Sequence, residues 1–395
     1  MAEDAIDQAG GAGASKLSEE TVITTTTRNP DELGRSIEAW LAGKLPDGAA
    51  PEVFDVTKPA GNGMSSETLL FSARWRADGR DEQRRFVARI EPELDKVPVF
   101  PNYDLRLQFD VMALVGDATD VPVPEVLWFE ADGSIIGAPF FVMSRVDGDV
   151  PPDVMPYTFP DGNWVIEAAP EDQQRLQRSA VEALAGVHTI TPDSHDLAFL
   201  VPDQPGETSL ERHLAWWEGY LEWVTGDERS PLLDDCFSWL RANLPAEGTD
   251  TCAPRLSWGD ARIGNMMFVD FEVSAVLDWE MAAVAPPEVD VGWMVYLHFF
   301  FQDIATGYDA DGLPEFMLPD DVVATYEAAS GLTLGHLRWH MAYAAIRHGV
   351  IMRRVTERSV AFGEAERPED VDDMIHHRAT LEAMLEGGYW ERFSW

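Results

Sequence analysis

The sequence predicts an α+β fold of two lobes, a small antiparallel sheet followed by a larger helical body. Three observations carry this reading. Residues 53–146 hold short segments of period-2 character punctuated by Asp-Gly turn signals, with one helical stretch among them. Beyond residue 149 apolar side chains recur mostly at helical spacing. Between Trp258 and Glu280 the run WGDARIGNMMFVDFEVSAVLDWE interrupts the helices with acids, a glycine loop and two short strands.

Taken in order, residues 1–20 are poor in large apolar side chains and are expected to form a disordered tail. Asn29-Pro30-Asp31-Glu32 offers an N-cap, a proline at N1 and acids in the first turn. Leu33, Ile37, Trp40 and Leu41 follow at helical spacing, so residues 30–43 predict an amphipathic helix. From Val53 the period shortens. Residues 68–75 and 85–90 read as strands joined by Ala77-Asp78-Gly79, residues 104–115 as a helix, and 126–130 and 139–146 as strands around Asp132-Gly133. Residues 21–148 thus predict the first lobe and 149–395 the second, with Asp147-Gly148-Asp149 opening the connection. In the second lobe Leu176, Ala180, Leu184 and Val187 mark a helix ending near His188. Residues 209–223 and 232–243 mark two more, and helices dominate from Pro287 onward. No internal repeat is found.

With 45% hydrophobic residues in 395, the chain can bury one large core or two smaller ones. No apolar run reaches the roughly 18 residues of a membrane span, and 291–301 reads as a core helix. The opening residues lack the basic and apolar regions of a signal peptide. Cys236 and Cys252 make no disulfide framework, so reduced thiols and a cytoplasmic location are expected. A net charge of −41 argues against nucleic acid and anionic membranes as partners. It could draw in a cationic substrate, but reads chiefly as a solvated surface. The lysines are Lys16, Lys44, Lys58 and Lys96, so a phosphate-binding cation inside the fold is expected to be arginine.

The central run carries the chemistry. Asp260–Asn265 reads as a loop containing Gly264, and 266–268 and 274–277 as strands turning at 270–272. Such a hairpin brings Asn265 and Asp278 to one end, where both can face one magnesium ion. Asp260 would accept the hydrogen bond of an attacking hydroxyl and take its proton. Alone, Asp260 or Asn265 could merely build a turn. Together, with Trp279-Glu280 after Asp278, the three predict phosphoryl transfer from ATP by a small-molecule kinase. Arg262 either reaches the transferring phosphate or forms a salt bridge to Asp278, Glu280 or another nearby acid.

For the nucleotide, Gly61 and Gly63 let backbone approach phosphates, and Ser65, Ser66 and Thr68 add hydroxyls. This is no P-loop, because the GK[ST] ending is absent and a strand follows. Arg89 is a charge in an apolar strand, so it pairs with an acid or binds the α- and β-phosphates. The helix at 104–115 is expected to supply an orienting acid. Its inward residue is Gln108, with Asp104 and Asp110 as other candidates. In 137–148, GAPFFVMSRVDG, Met143 would border an adenine pocket, with Ser144–Val146 presenting the carbonyl and amide. An ordinary core strand is compatible with the same run.

WGDARIGN resembles the HGDxxxxN catalytic loop of the aminoglycoside phosphotransferase-like small-molecule kinases, and LDWE resembles their metal-binding segment. GNGMSSETLLF, PVPEVL and GAPFFVM extend the resemblance over most of the chain from about residue 50. It is nearest to the branch also fused to some acyl-CoA dehydrogenases. The resemblance implies a protein-kinase-like fold, ATP (or GTP) with Mg2+, and phosphorylation of a small-molecule hydroxyl. It assigns Asp260 as base, Asn265 and Asp278 as magnesium ligands, and Arg89 as the phosphate-binding cation where most of the family has lysine. Asp290 becomes an acid that brackets the catalytic loop from a helix. Trp258 replaces the usual histidine, altering packing below the loop, and Gln108 replaces the pairing glutamate.

The intact base and metal ligands argue against the alternative, an inactive nucleotide-binding regulatory protein. The acceptor pocket is expected in the helical lobe. Trp216, Trp217, Tyr220, Trp223, Trp293, Tyr296, His298, Phe299 and Phe300 read mostly as helix core, with a remainder suited to an apolar or aromatic alcohol or a hydroxyacyl chain. His336, His340 and His348 read as core or surface rather than metal ligands. The expected assembly is a monomer or homodimer.

Overall fold

Two runs of alternating apolar residues flank Asp78-Gly79, and that pattern builds the centre of the sheet. The computed structural model describes residues 28–58, 67–92, 97–160 and 162–393. The expected tail and Gly61, Gly63, Ser65 and Ser66 lie outside the described residues. Strands β2 (Glu67–Ala77) and β3 (Arg80–Ile90) pair in register from Glu67↔Ile90 to Ala77↔Arg80. Asp78 and Gly79 both take positive φ, 52° and 78°, a two-residue turn whose twist matches the strands it joins. β1 (Glu52–Thr57), β4 (Val126–Glu130) and β5 (Phe140–Ser144) complete an antiparallel sheet in the order β1-β2-β3-β5-β4.

The period of two gives this sheet two apolar faces. Leu69, Phe71, Phe86, Phe140 and Val142 pack beneath helix α1 (Pro30–Ala42) through Leu33, Ile37, Trp40 and Leu41. Asn29 caps that helix through the Asp31 amide at 2.9 Å. Val87, Phe141 and Met143 face the other way, into a core continuous with the helical lobe. Helix α2 (Leu105–Ala118), capped by Asp104, packs on that side against β4 and β5. After β5 the chain crosses to the second lobe. There Asp149 exchanges two backbone hydrogen bonds of 2.9 Å with Phe268. Gly148 is needed at this crossing, since a Cβ would come within 2.6 Å of Ser274 Oγ.

The second lobe holds α3 (Pro170–Val187), α4 (Ser209–Thr225), α5 (Pro231–Ala242), α6 (Glu288–Gly307), α7 (Pro319–Ser330), α8 (Leu337–Ala361) and α9 (Arg378–Glu386). Two small ribbons sit among them: β6 (Arg255–Ser257) with β9 (Ala283–Ala285), and β7 (Met266–Val269) with β8 (Glu272–Val276). Helix α6 is apolar nearly all round and buried accordingly. It crosses α8 closely at Gly292, where a Cβ would lie 2.7 Å from the backbone carbon of His340. No helix among the described residues is long and apolar enough to cross a membrane. Both cysteines are free, and burial pushes each thiol up to about 12, so neither is a thiolate nucleophile.

His348 of α8 and His377 stack at 4.7 Å with their planes 10° apart, beneath Tyr296. His377 donates Nε2–H to Ala345 O at 2.9 Å, while its Nδ1 has no hydrogen-bond partner among the described residues. Burial therefore favours the neutral rings, holding His348 well below the ordinary histidine value and His377 at about 4.

Two outcomes follow from this packing. In Gly292→Ala the clash with fixed backbone, about 1–3 kcal/mol, outweighs the gain of about 1 kcal/mol in helix propensity. The melting temperature of that variant should fall. Because His377 titrates near 6.5 when unfolded and at about 4 when folded, the unfolded chain takes up the proton first. Stability should be full above pH 6.5 and decline as pH falls toward 4, by about 3 kcal/mol from this group. Denaturant titrations across that range, with His377→Phe as the variant of weaker acid dependence, check it.

Candidate active site

Strand β6 ends at Ser257, and the next three residues must turn sharply into a loop. One buried carboxylate makes that turn possible. Asp290, in the first turn of α6 and without exposed surface, accepts Ser257 Oγ at 2.8 Å, the Trp258 amide at 2.7 Å and the Gly259 amide at 2.9 Å. His188 Nε2 donates to it at 3.0 Å, and His188 Nδ1 meets the Tyr326 hydroxyl at 2.7 Å. The imidazole thus bridges Asp290 and Tyr326. Burial alone would raise the Asp290 pKa. The donors from His188, Gly259 and Ser257 outweigh it, holding the carboxyl below its ordinary value and charged. Asp290 makes no cap bond to its own helix. It brackets the loop, as the resemblance implies. Gly259 has φ 92°, and a Cβ there would overlap Met281 O, so only glycine fits.

The loop presents Asp260 with a fixed orientation. Oδ1 accepts the Trp293 indole N–H at 2.7 Å, and Oδ2 accepts Asn265 Nδ2 at 2.7 Å. Arg262 Nε lies 3.1 Å from both oxygens, and its Nη1 bonds Asp153. Of the two roles open to Arg262, the structure shows the salt bridge, to Asp260 and Asp153 rather than Asp278 or Glu280. Burial opposes the charge on Arg262, but the two carboxylates overcome it and keep the guanidinium fully protonated.

The β7–β8 ribbon does bring Asn265 and Asp278 to one end, with the Leu277 amide on Asn265 O at 2.9 Å. Trp258 does more than pack: its indole N–H reaches Leu277 O at 2.9 Å and Asp278 O at 3.1 Å, tying the loop to this segment. Asp278 takes φ 57°, a conformation costing an L-residue about 1 kcal/mol or more. Its Oδ1 is buried without a hydrogen-bond partner among the described residues. Burial raises its pKa, Arg89 opposes this, and the like charge of Asp260 adds to it. The site is therefore short of positive charge. Since the Asn265 amide nitrogen goes to Asp260, its oxygen is left to face a cation. Asn265 and Asp278 thus fit a hard divalent ion. Among the described residues no three His, Cys, Asp or Glu side chains form a full cage. That suits magnesium, which takes few protein ligands and completes its shell from phosphates and water.

Across the cleft, Thr68, Arg89 and Phe141 form one cross-strand row, and Leu70, Val87 and Met143 form the next. Arg89 Nη2 lies 3.8 Å from Asp278 Oδ1, an attraction without a hydrogen bond. Of the three α2 candidates for orienting Arg89, Gln108 is the one turned inward, as expected. Asp104 caps the helix, Asp110 pairs with Arg106 at 2.8 Å, and Gln108 is buried. A helix shows one face to the sheet, and neither Asp104 nor Asp110 is among the buried residues of that face. At the linker, the Ser144 amide donates to Glu125 O at 2.8 Å and the Arg145 amide to Arg85 O at 3.0 Å.

Most of the aromatic residues considered for an acceptor pocket are core: Trp217, Tyr220, Trp293, Tyr296, His298 and Phe299 are buried. Trp223 is 39% exposed, under the Arg354 guanidinium at 4.4 Å. His340 and His348 are core as well. A cavity of about 10 Å³, the size of one water, adjoins Arg262 and is lined by Tyr157, Ile263, Met294, Leu297 and Phe301. Sequence reasoning missed Asp153, Trp293 as a partner of Asp260, and His188. Nothing local marked them, because each reaches the loop from a distant segment.

Residues 57–316 match the APH group, described as the phosphotransferase enzyme family. The chain belongs to this family. The fold agrees: a Ralstonia eutropha protein provisionally described as an aminoglycoside phosphotransferase superposes with a TM-score of 0.61 at 23% identity, over 91% of this chain and 97% of that one. Aminoglycoside 2′-phosphotransferase-IIIa, solved with GDP, gives 0.54 at 14%, over 91% and 99%. A thermostable mutant of APH(4)-Ia, solved with AMP-PNP and hygromycin B, gives 0.52 at 16%, over 89% and 98%. Among sequence relatives, the probable acyl-CoA dehydrogenase IBR3 of Arabidopsis thaliana is 27% identical over 78% of this chain and 37% of its own length. Acyl-CoA dehydrogenase family member 11 of Rattus norvegicus is 27% identical over 67% and 31%. The chain spans about a third of the length of these relatives. Family and fold together support a phosphotransferase with a kinase-like architecture.

Asp290→Ala strips four donors of their acceptor in a buried place. It should destabilise the protein by about 3–5 kcal/mol, read from denaturant midpoints.

Proposed function

We propose that the protein transfers the γ-phosphate of ATP, with Mg2+, to a hydroxyl of a small molecule. The observation that carries this is the convergence of Asp260, Asn265 and Asp278 at one end of the β7–β8 ribbon, opposite Arg89. The nucleotide would lie between residues 21–148 as one lobe and 149–395 as the other. Its base would rest on the row of Leu70, Val87 and Met143, and its phosphates would run toward Thr68, Arg89 and the segment holding Gly61, Gly63, Ser65 and Ser66. The Ser144 and Arg145 amides are already engaged, so the linker would contact the base through the Ser144 carbonyl and the Val146 amide. GTP would fit the same backbone-read pocket.

Asp260 is held from behind by Trp293 and from the side by Asn265, leaving its carboxylate to orient the acceptor hydroxyl and receive its proton. Asn265 and Asp278 would hold magnesium, which when bound neutralises charge on the phosphates. Arg89 binds phosphate oxygens in exchange for its loose contact with Asp278. Arg262 offsets charge beside the base and offers its remaining donors to the transferring group. A cytoplasmic monomer or homodimer acting on an apolar or aromatic alcohol or a hydroxyacyl chain is part of this reading. One observation favours an inactive nucleotide-binding regulator instead, the lack of an α2 acid on Arg89.

Transfer from labelled ATP to pooled aminoglycosides, hydroxy acids, hydroxyacyl-CoA thioesters and sterol-like alcohols separates the two. Wild type should label one pool. Asp260→Ala should slow transfer by about 10²–10⁴-fold while keeping ATP affinity. Unchanged turnover in that variant would sink the assignment, and ATP binding without transfer to any pool would favour the regulator.

A further inference from the structure

Behind the proposed base lies a charge that neither the fold nor the phosphate chemistry requires. Arg347, on α8, has no exposed surface. Its Nε and Nη1 have no hydrogen-bond partner among the described residues, and Nη2 reaches Val289 O at 3.4 Å. Three rings surround the guanidinium: Trp293 at 4.5 Å, Tyr343 at 4.9 Å and Trp217 at 5.5 Å from their centroids. Its nearest influential carboxylates, Asp290 and Asp260, act from beyond ion-pair distance. Burying a charge without a direct partner costs several kcal/mol. A desolvated ring returns about 2 kcal/mol at best, and only Trp293 is close to ideal distance. An apolar side chain of similar length would fill the position at lower cost.

What the guanidinium touches gives it a role. It sits over the ring of Trp293, and the Trp293 indole N–H donates to Asp260 Oδ1 at 2.7 Å. A cation over an indole face draws π density toward itself and leaves the ring N–H more positive, so the bond that this N–H donates is strengthened. The remaining side-chain contacts of Asp260 come from Asn265 and Arg262 of its own loop. Trp293 alone ties it to the rigid α6–α8 pair. We propose that Arg347 is a positioning residue for the base, acting through Trp293 to fix the Asp260 carboxylate against the helical core. The proposal rests on the reading of Asp260 as base. Arg347 itself touches neither nucleotide nor acceptor.

The test uses the full chain as wild type, Arg347→Met, Arg347→Lys, Trp293→Phe and the Arg347→Met/Trp293→Phe double variant. The first readout needs no activity. The indole N–H proton of Trp293, identified among 14 tryptophans by its loss in Trp293→Phe, should move upfield in Arg347→Met and return partway in Arg347→Lys. The second is kinetic. Arg347→Met and Trp293→Phe should each lower kcat about tenfold, with KM for ATP within about twofold of wild type. The double variant should be no slower than Trp293→Phe, because both changes cut one relay. The melting temperature of Arg347→Met should hold or rise, which separates lost positioning from lost folding. An unmoved indole resonance, or kinetic losses that multiply in the double variant, overturns the proposal. A wild type that labels no acceptor while the resonance still shifts would overturn the kinase reading and leave the Arg347–Trp293–Asp260 relay standing.

Discussion

The site depends on a single buried carboxylate. Asp290 gathers the backbone of Trp258 and Gly259, the hydroxyl of Ser257 and the ring of His188 onto two oxygens. It thereby joins the start of α6 to the loop that follows β6, and through His188 and Tyr326 to the end of α3 and to α7. Each donor would be costly to leave unpaired in this interior, so the arrangement holds as a unit or fails as one. The loop's shape is thus a property of the helical core. That is why a turn of a few residues can present Asp260 without regular structure of its own.

Around that frame the charges are arranged locally, against a chain whose net charge is −41. Asp153, Asp260 and Asp278 are met by Arg262 and Arg89, with Arg347 behind. Arg262 takes two carboxylates and leaves Asp278 Oδ1 without a hydrogen bond, so the remaining negative charge collects where Asn265 and Asp278 meet. The strained φ of Asp278 and its raised pKa point to the same place. A region with a buried carboxylate oxygen short of a donor, lined by hard oxygens and facing an arginine across a cleft, is chemically suited to a cation together with phosphate. The family to which the chain belongs transfers phosphate, and the arrangement is in keeping with it.

Much of this was legible along the chain, for identifiable reasons. The β2–β3 hairpin was announced by Asp78-Gly79 between alternating runs, and the first helix by Asn29-Pro30 before a 3.6-residue stripe. Both are short-range signals, in which the residues that decide the structure are neighbours in sequence. The hairpin bringing Asn265 and Asp278 together belongs to the same kind, since Asp270 and Phe271 turn it within a few residues. Gln108 was legible as the inward residue of α2 for the same reason, since spacing tells which residues share a helix face. Trp293, which holds Asp260 directly, and Asp153, which holds the Arg262 beside it, could not be paired from sequence, because they approach from segments 33 and 109 residues away from their partners.

The sequence by itself determined the α+β plan, the strand and helix order, and the set of acid, carboxamide and acid that make phosphoryl transfer the natural reading. These follow from local periodicity, turn chemistry and residue type, which need no knowledge of distant contacts. Tertiary structure alone decided which oxygen each donor meets, which carboxylates Arg262 serves, and that Arg347 lies behind Trp293 and Asp260. Those outcomes depend on the packing of α6 against α8 and on the low dielectric it creates, where a charge is strongly influenced by whatever the fold brings within a few ångströms.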